Sequence, residues 1–150
     1  MAWQTVFGIA NVWAMIWWAG LILAPRWAAL LSGVLFAGIG LLCLAYAILL
    51  GLIVSGTVDP VGASGGADFT TISGVQAIFA SKGGAVVGWI HYLAFDLFVG
   101  LWIARDADAK NFSRLLQAPI LLATFLAGPL GLLVWLAVRE RRARQGGRWQ

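Results

Sequence analysis

The residues able to do acid–base chemistry in this chain are few and sit close together. In the run Gly88-Trp89-Ile90-His91-Tyr92-Leu93-Ala94-Phe95-Asp96-Leu97-Phe98-Val99-Gly100, His91 and Asp96 lie amid almost purely apolar neighbours. A carboxylate in hydrocarbon costs about 3 kcal/mol on insertion scales, so it persists only when paired, protonated or facing a wet cavity. Function is therefore the default reading of Asp96. On a helix Tyr92 and Asp96 are four apart and share a face with Trp89, so a phenol-to-carboxylate hydrogen bond is available. His91 lies about 140° around the helix from Asp96, on a face with Phe95, Phe98 and Trp102. If the two cooperate, they flank a substrate or meet through a neighbouring helix. The alternative is that both only tie neighbouring helices together and fix their register. His91 is the one histidine and Cys43 the one cysteine, so zinc or non-haem iron sites built on several histidine ligands are excluded, though His91 alone could ligate a haem.

These groups need elements to hold them, and the composition says what kind. The chain has 150 residues, 61% hydrophobic and 11% charged, far from the composition of a water-soluble domain and equally far from disorder. Four apolar runs stand out: Trp3 to Ala24, Leu30 to Val54, Ala85 to Ala104 and Ala118 to Val138. Each is long enough to cross a bilayer, which takes about 20 residues. The expected fold is all-α, an integral membrane bundle of four transmembrane helices over residues 1–138, followed by a basic juxtamembrane tail, 139–150. The first run has no basic leader segment and reads as a retained span rather than a signal peptide. Pro25-Arg26-Trp27 closes it with a helix stop, a headgroup-reaching arginine and an interfacial tryptophan.

Between the second and third runs, Ser55 to Gly84 is rich in glycine and turn residues. Within it Ile72, Val75, Ile78 and Phe79 fall at the spacing of a short amphipathic helix, interfacial or re-entrant. In the fourth run, Gly128-Pro129-Leu130-Gly131 puts a proline mid-span. Pro129 strips the Phe125 carbonyl of its partner, so a kink is expected.

The net charge of +4 resides in the tail, whose five arginines and one glutamate account for all of it, the rest of the chain balancing at five basic and five acidic residues. A basic cluster after an apolar span reads as an anchor on anionic lipid, and nucleic-acid binding has no surface to use. Four crossings would put the N-terminus, the long loop and the tail on one side, six basic groups against four, which favours cytoplasmic termini. Nine tryptophans divide into interfacial candidates (Trp3, Trp27, Trp135, Trp149) and deeper ones (Trp13, Trp17, Trp18, Trp89, Trp102). Asn11 and Trp18 share a face of the first helix. Stacked aromatics there could line a slot for a long conjugated or isoprenoid ligand, or simply face lipid.

The run Trp89 to Gly100, continuing as Trp102-Ile103-Ala104-Arg105-Asp106, closely resembles the central signature of the abscisic-acid-deficient-four-like membrane proteins. Pro119 and Thr124 to Leu133 are similar to the second signature of that family. Leu101 stands where a basic residue often follows the glycine. The resemblance implies a four-helix membrane protein of neoxanthin formation, in which an epoxy xanthophyll is isomerised to an allene without consuming a cofactor. It further implies Asp96 and His91 as the acid/base residues and Tyr92 as their hydrogen-bond support. Trp89, Phe95, Trp102, Asn11, Trp18 and Thr124 would line the substrate, with Arg105 and Asp106 clamping a hydroxylated ring end. A bacterial inner membrane or a photosynthetic membrane is the expected setting, with a carotenoid or other isoprenoid as ligand. Two other classes stay open: a non-catalytic carotenoid-binding or accessory subunit of a larger membrane complex or homo-oligomer, and a small transporter.

Overall fold

A computed structural model of the chain describes residues 2–59 and 68–146. All regular structure among these residues is helical. Helix α1 spans Trp3–Leu23 and α2 spans Ala28–Val54. The short α3, Ile72–Ala80, leads directly into α4, Lys82–Ala109. Helix α5, Arg114–Leu126, and α6, Gly128–Gly146, complete the order. Three of them, α1, α2 and α4, are long and apolar enough to cross a membrane, at 21, 27 and 28 residues. The 28 residues of α4 reach about 42 Å at 1.5 Å each, and α4 packs against every other helix.

The local reasons are legible residue by residue. Thr71 and Ser81 accept the backbone N–H groups of Gly74 and Gly84, capping α3 and α4 at 3.0 and 2.9 Å. Such caps answer donors that the first helical turn leaves open. Asp68 accepts from the Thr70 hydroxyl and from the N–H groups of Thr70 and Thr71, which holds its carboxyl below the usual carboxylate range. Within α2, Val34–Ile39 widens into a π-helical turn. The Trp13 indole donates to the Ala37 carbonyl there at 3.1 Å, while Gly33 and Gly38 leave room for the ring of Trp17. A widened turn disturbs the helical ladder and leaves backbone groups for side chains to answer.

The fourth apolar run does not form a fourth spanning helix. It breaks at Ala127, whose backbone is extended (φ −156°, ψ 84°), and the chain turns back on itself. Trp135 and Arg139 on α6 bond to Asp106, and Arg142 donates to the carbonyls of Lys110 and Asn111. Those partners lie at the end of the bundle where α5 begins, so α5 and α6 form a re-entrant hairpin. The expected kink at Pro129 is thus a reversal. Pro129 occupies the first turn of a new helix, where no N–H is needed, and Leu130 and Gly131 donate to the Ala127 carbonyl. A Cβ at Gly131 would strike Thr124, so only glycine allows the two arms to close at this height.

Two further expectations change with this topology. The N-terminus and the start of the tail lie at opposite ends of the bundle, because α1 begins beside Gly83 and Ile53 whereas Arg139 reaches Asp106. Trp135 is wholly buried against Phe112, ring centres 5.0 Å apart, rather than interfacial, and Trp3 is buried as well.

The end where α5 starts is closed by a polar lock. Arg26 donates to the carbonyls of Leu21 and Ala104, to Asp108 and to Gln117. Its side chain is 4% exposed, so it bolts helices together instead of reaching headgroups, and burial lowers its guanidinium from the ordinary value. Gln117, fully buried, donates to Asp108 and to the Phe112 carbonyl. Alongside, Asp106 binds Arg139 at 2.7 Å, Lys110 at 2.8 Å and the Trp135 indole at 3.0 Å. Arg139→Ala takes away two charge-assisted hydrogen bonds to the Asp106 carboxyl while Lys110 and Trp135 remain on it, and should cost about 2 kcal/mol in reversible unfolding in detergent. Arg144→Ala, which loses only an exposed pair with Glu140, should cost under about 0.5 kcal/mol. Equal losses would refute the lock.

Candidate functional site

The two acid–base candidates of α4 go to different places. Asp96, half-buried, faces the tip of the α5–α6 hairpin, where its carboxyl lies close against the Gly128 backbone. Asp96 lies ten residues from Asp106, about 15 Å into α4 from the polar lock. The α6 N-terminus ends there with open N–H groups and the positive end of its dipole. A carboxylate is the side chain that such an end attracts. Gly128 is required, because a Cβ at that position would collide with the Asp96 carboxyl. Nearby, Trp18 packs edge-on to Phe125, ring centres 5.5 Å apart, and lies over Gly100, where a Cβ would meet the indole. Thr124, fully buried, donates to the Ile120 carbonyl of its own helix at 2.8 Å.

His91 points away from this tip. Its ring stacks on Phe95 at 4.6 Å and faces Tyr46 of α2 at 5.5 Å, with Tyr92 edge-on at 6.3 Å. His91, Tyr92 and Tyr46 line a cleft of about 620 Å³ together with Leu50, Ile53, Val54, Gly56, Phe69, Ile78, Phe79, Gly84, Val87 and Gly88. The amphipathic α3 forms one wall. Gly84 and Gly88, four apart on α4, let it approach: a Cβ at Gly84 would strike the Ile78 carbonyl, and one at Gly88 the Phe79 ring. Clefts of this size with a few polar groups in an apolar lining are the usual form of small-molecule sites. Three proton-bearing side chains, one imidazole and two phenols, converge in it.

The remaining sequence candidates are spread over both regions and the lock. Trp89 donates to Asn11 at 3.0 Å and packs against Phe7 at 5.9 Å, which ties α4 to α1. Trp102 lies under the Arg139 guanidinium at 5.5 Å. Arg105 is exposed, and Asp106 is engaged by Arg139, Lys110 and Trp135. Tyr92 and Asp96, four apart, do not bond to each other. His91 and Asp96 are not brought together either; the hairpin tip takes one and the cleft the other. Sequence reasoning missed Tyr46. The available signal was that Tyr46 and Tyr92 are the two tyrosines of the chain, both deep in apolar runs where a phenol needs a partner. Cys43 is exposed on α2.

The geometry at the hairpin tip makes a testable distinction. Asp96→Asn keeps a polar group of the same shape at the α6 N-terminus and should unfold within about 1 kcal/mol of the native protein. Asp96→Leu leaves the open N–H groups of the α6 N-terminus facing an apolar side chain and should cost about 1–3 kcal/mol. Gly128→Ala should cost a similar amount by overpacking. Unfolding in detergent reads all three. An Asp96→Leu protein as stable as Asp96→Asn would show that the carboxyl does not hold the tip.

Compared with known proteins, the chain matches neither a curated protein nor a solved structure. The family described as ABA DEFICIENT 4-like matches over residues 5–135, a stretch that includes the first arm and the turn of the hairpin, the cleft and His91. That is most of the chain, and it agrees with the resemblance carried by Trp89–Gly100 and Thr124–Leu133. The protein belongs to the ABA DEFICIENT 4-like family.

Proposed function

We propose that the protein is a membrane-embedded, carotenoid-modifying enzyme, a cofactor-independent isomerase of xanthophyll type, and that the cleft beside His91 is where the substrate's ring end binds. The observation that carries this reading is the convergence of His91, Tyr46 and Tyr92 in an apolar cleft of a chain that belongs to this family. A lipid-dissolved polyene needs apolar walls, and an epoxide at its end needs proton donors and acceptors nearby. The isomerisation conserves every atom: a proton is added to the epoxide oxygen as its C–O bond opens, and another leaves the adjacent polyene carbon to form the allene. A phenol is the donor and the imidazole the acceptor in this scheme, with proton transfer worth about 10²–10⁴-fold in rate. Phe95, stacked on the imidazole, orients it. Asp96 serves the hairpin tip, and its contribution to the reaction is through the shape of the bundle.

The test uses a host that supplies an epoxy xanthophyll, with pigments separated by chromatography. Wild type should convert the epoxide. His91→Ala should reduce conversion by about 10²-fold or more and Tyr46→Phe by a comparable factor, with membrane insertion retained. Asp96→Asn should keep most conversion. Unchanged pigments with the wild type refute the enzyme; if pigment co-purifies unaltered, the accessory pigment-binding reading replaces it.

A further inference from the structure

The hairpin changes what the charges say about orientation. One end of the bundle gathers Trp3, Ile53 and Asp59 around Gly83. The other gathers Arg26, Asp108 and Gln117, with Arg114 donating to the Ala24 carbonyl. Because α6 returns to the second end, the basic residues do not divide evenly. Arg26, Arg105, Lys110 and Arg114 lie there, and the four arginines between 139 and 144 follow on α6. At the first end Lys82 is the basic residue among those described, beside Asp59 and Asp68. Eight against one is a strong bias, where four crossings would have given a near balance. Lysine and arginine close to span ends are retained in the cytoplasm, and the anionic cytoplasmic leaflet attracts them by about 1 kcal/mol each.

We propose that the lock end faces the cytoplasm, that the N-terminus lies on the opposite side, and that the His91 cleft opens into the leaflet away from the cytoplasm. The cleft is built at the Lys82 end. Val54 and Gly56 mark the end of α2, Gly84 the start of α4, and His91 lies seven residues further, about 10 Å along the helix. Its ligand therefore arrives from lipid of the non-cytoplasmic leaflet, through the side that α3 borders. The sidedness stands on the hairpin and the charges alone; the identity of the ligand rests on the function proposed above.

Single cysteines in a Cys43→Ser background test this in right-side-out spheroplasts with a membrane-impermeant maleimide. Thr57→Cys should label in intact spheroplasts, and Ser113→Cys only after permeabilisation. A reporter enzyme fused after Gln150 should be active only in its cytoplasmic form. The reverse labelling overturns the orientation, and a reporter on the same side as Thr57 overturns the hairpin topology. Val54→Cys, in the cleft wall, should also label from outside, and the host's carotenoid extract should slow that labelling severalfold. Labelling of Val54→Cys only from the cytoplasmic face refutes the leaflet assignment. Outside labelling that the extract leaves unslowed supports the leaflet assignment and counts against the carotenoid reading.

Discussion

A chain that reverses direction inside an apolar bundle must find partners for the backbone groups it exposes, since no water is there to accept them. At the turn between α5 and α6 this requirement falls on a few atoms. Ala127 closes α5 by donating to Ala123 and opens α6 by accepting from Leu130 and Gly131. Pro129 brings no donor, and the Asp96 carboxyl lies against the Gly128 backbone. The carboxylate and the helix N-terminus are each unfavourable alone in such surroundings and are compatible together. The position of α4, the reversal of the hairpin and the glycines at 128 and 131 all follow from that contact. With them comes the return of the chain to its basic end.

The same economy governs the other acidic residues. Asp59 accepts from the Gly83 N–H and Asp68 from the turn before α3. Asp106 and Asp108 hold the lock, and Glu140 pairs with Arg144. Five of the six carboxylates of the chain are thus committed to a backbone donor or a cation, Asp96 lies against the Gly128 backbone, and none of the six is among the residues lining the cleft. Proton traffic in the cleft is left to an imidazole and two phenols. Weakly acidic groups of this kind suit an apolar site, because in their neutral forms they do not incur the desolvation that a carboxylate would.

Much of this fold could be read from residue order. The apolar runs at Trp3, Leu30 and Ala85 became helices, and the spacing of Ile72, Val75, Ile78 and Phe79 marked the short helix α3. The fourth run was misleading for a physical reason: hydropathy counts apolar residues and is blind to direction. A window from Ala118 to Val138 satisfies the length of a span whether or not it turns back halfway. The clues to the turn were Gly128-Pro129-Leu130-Gly131 and a carboxylate in a different helix, a pairing that no local pattern connects. Arg26 and Trp135 were assigned to the interface by residue type, whereas tertiary contacts to Gln117, Asp108 and Asp106 drew both inward. The cleft itself depends on α2 meeting α4, so the pairing of Tyr46 with His91 showed only once those helices were placed side by side.

The π-helical turn at Val34–Ile39 sets the phase of everything after it in α2. A turn of this kind accommodates one residue more than an α-helical turn, so the downstream half is rotated by about 100° from where an uninterrupted α-helix would have carried it. Tyr46 lies on that downstream half. Shortening the segment by one residue would leave both hydrophobic and aromatic content intact and still swing the phenol out of register with His91. An insertion one residue long in a greasy helix, invisible to any count of composition, is in this way what brings a third proton-bearing group to the pocket.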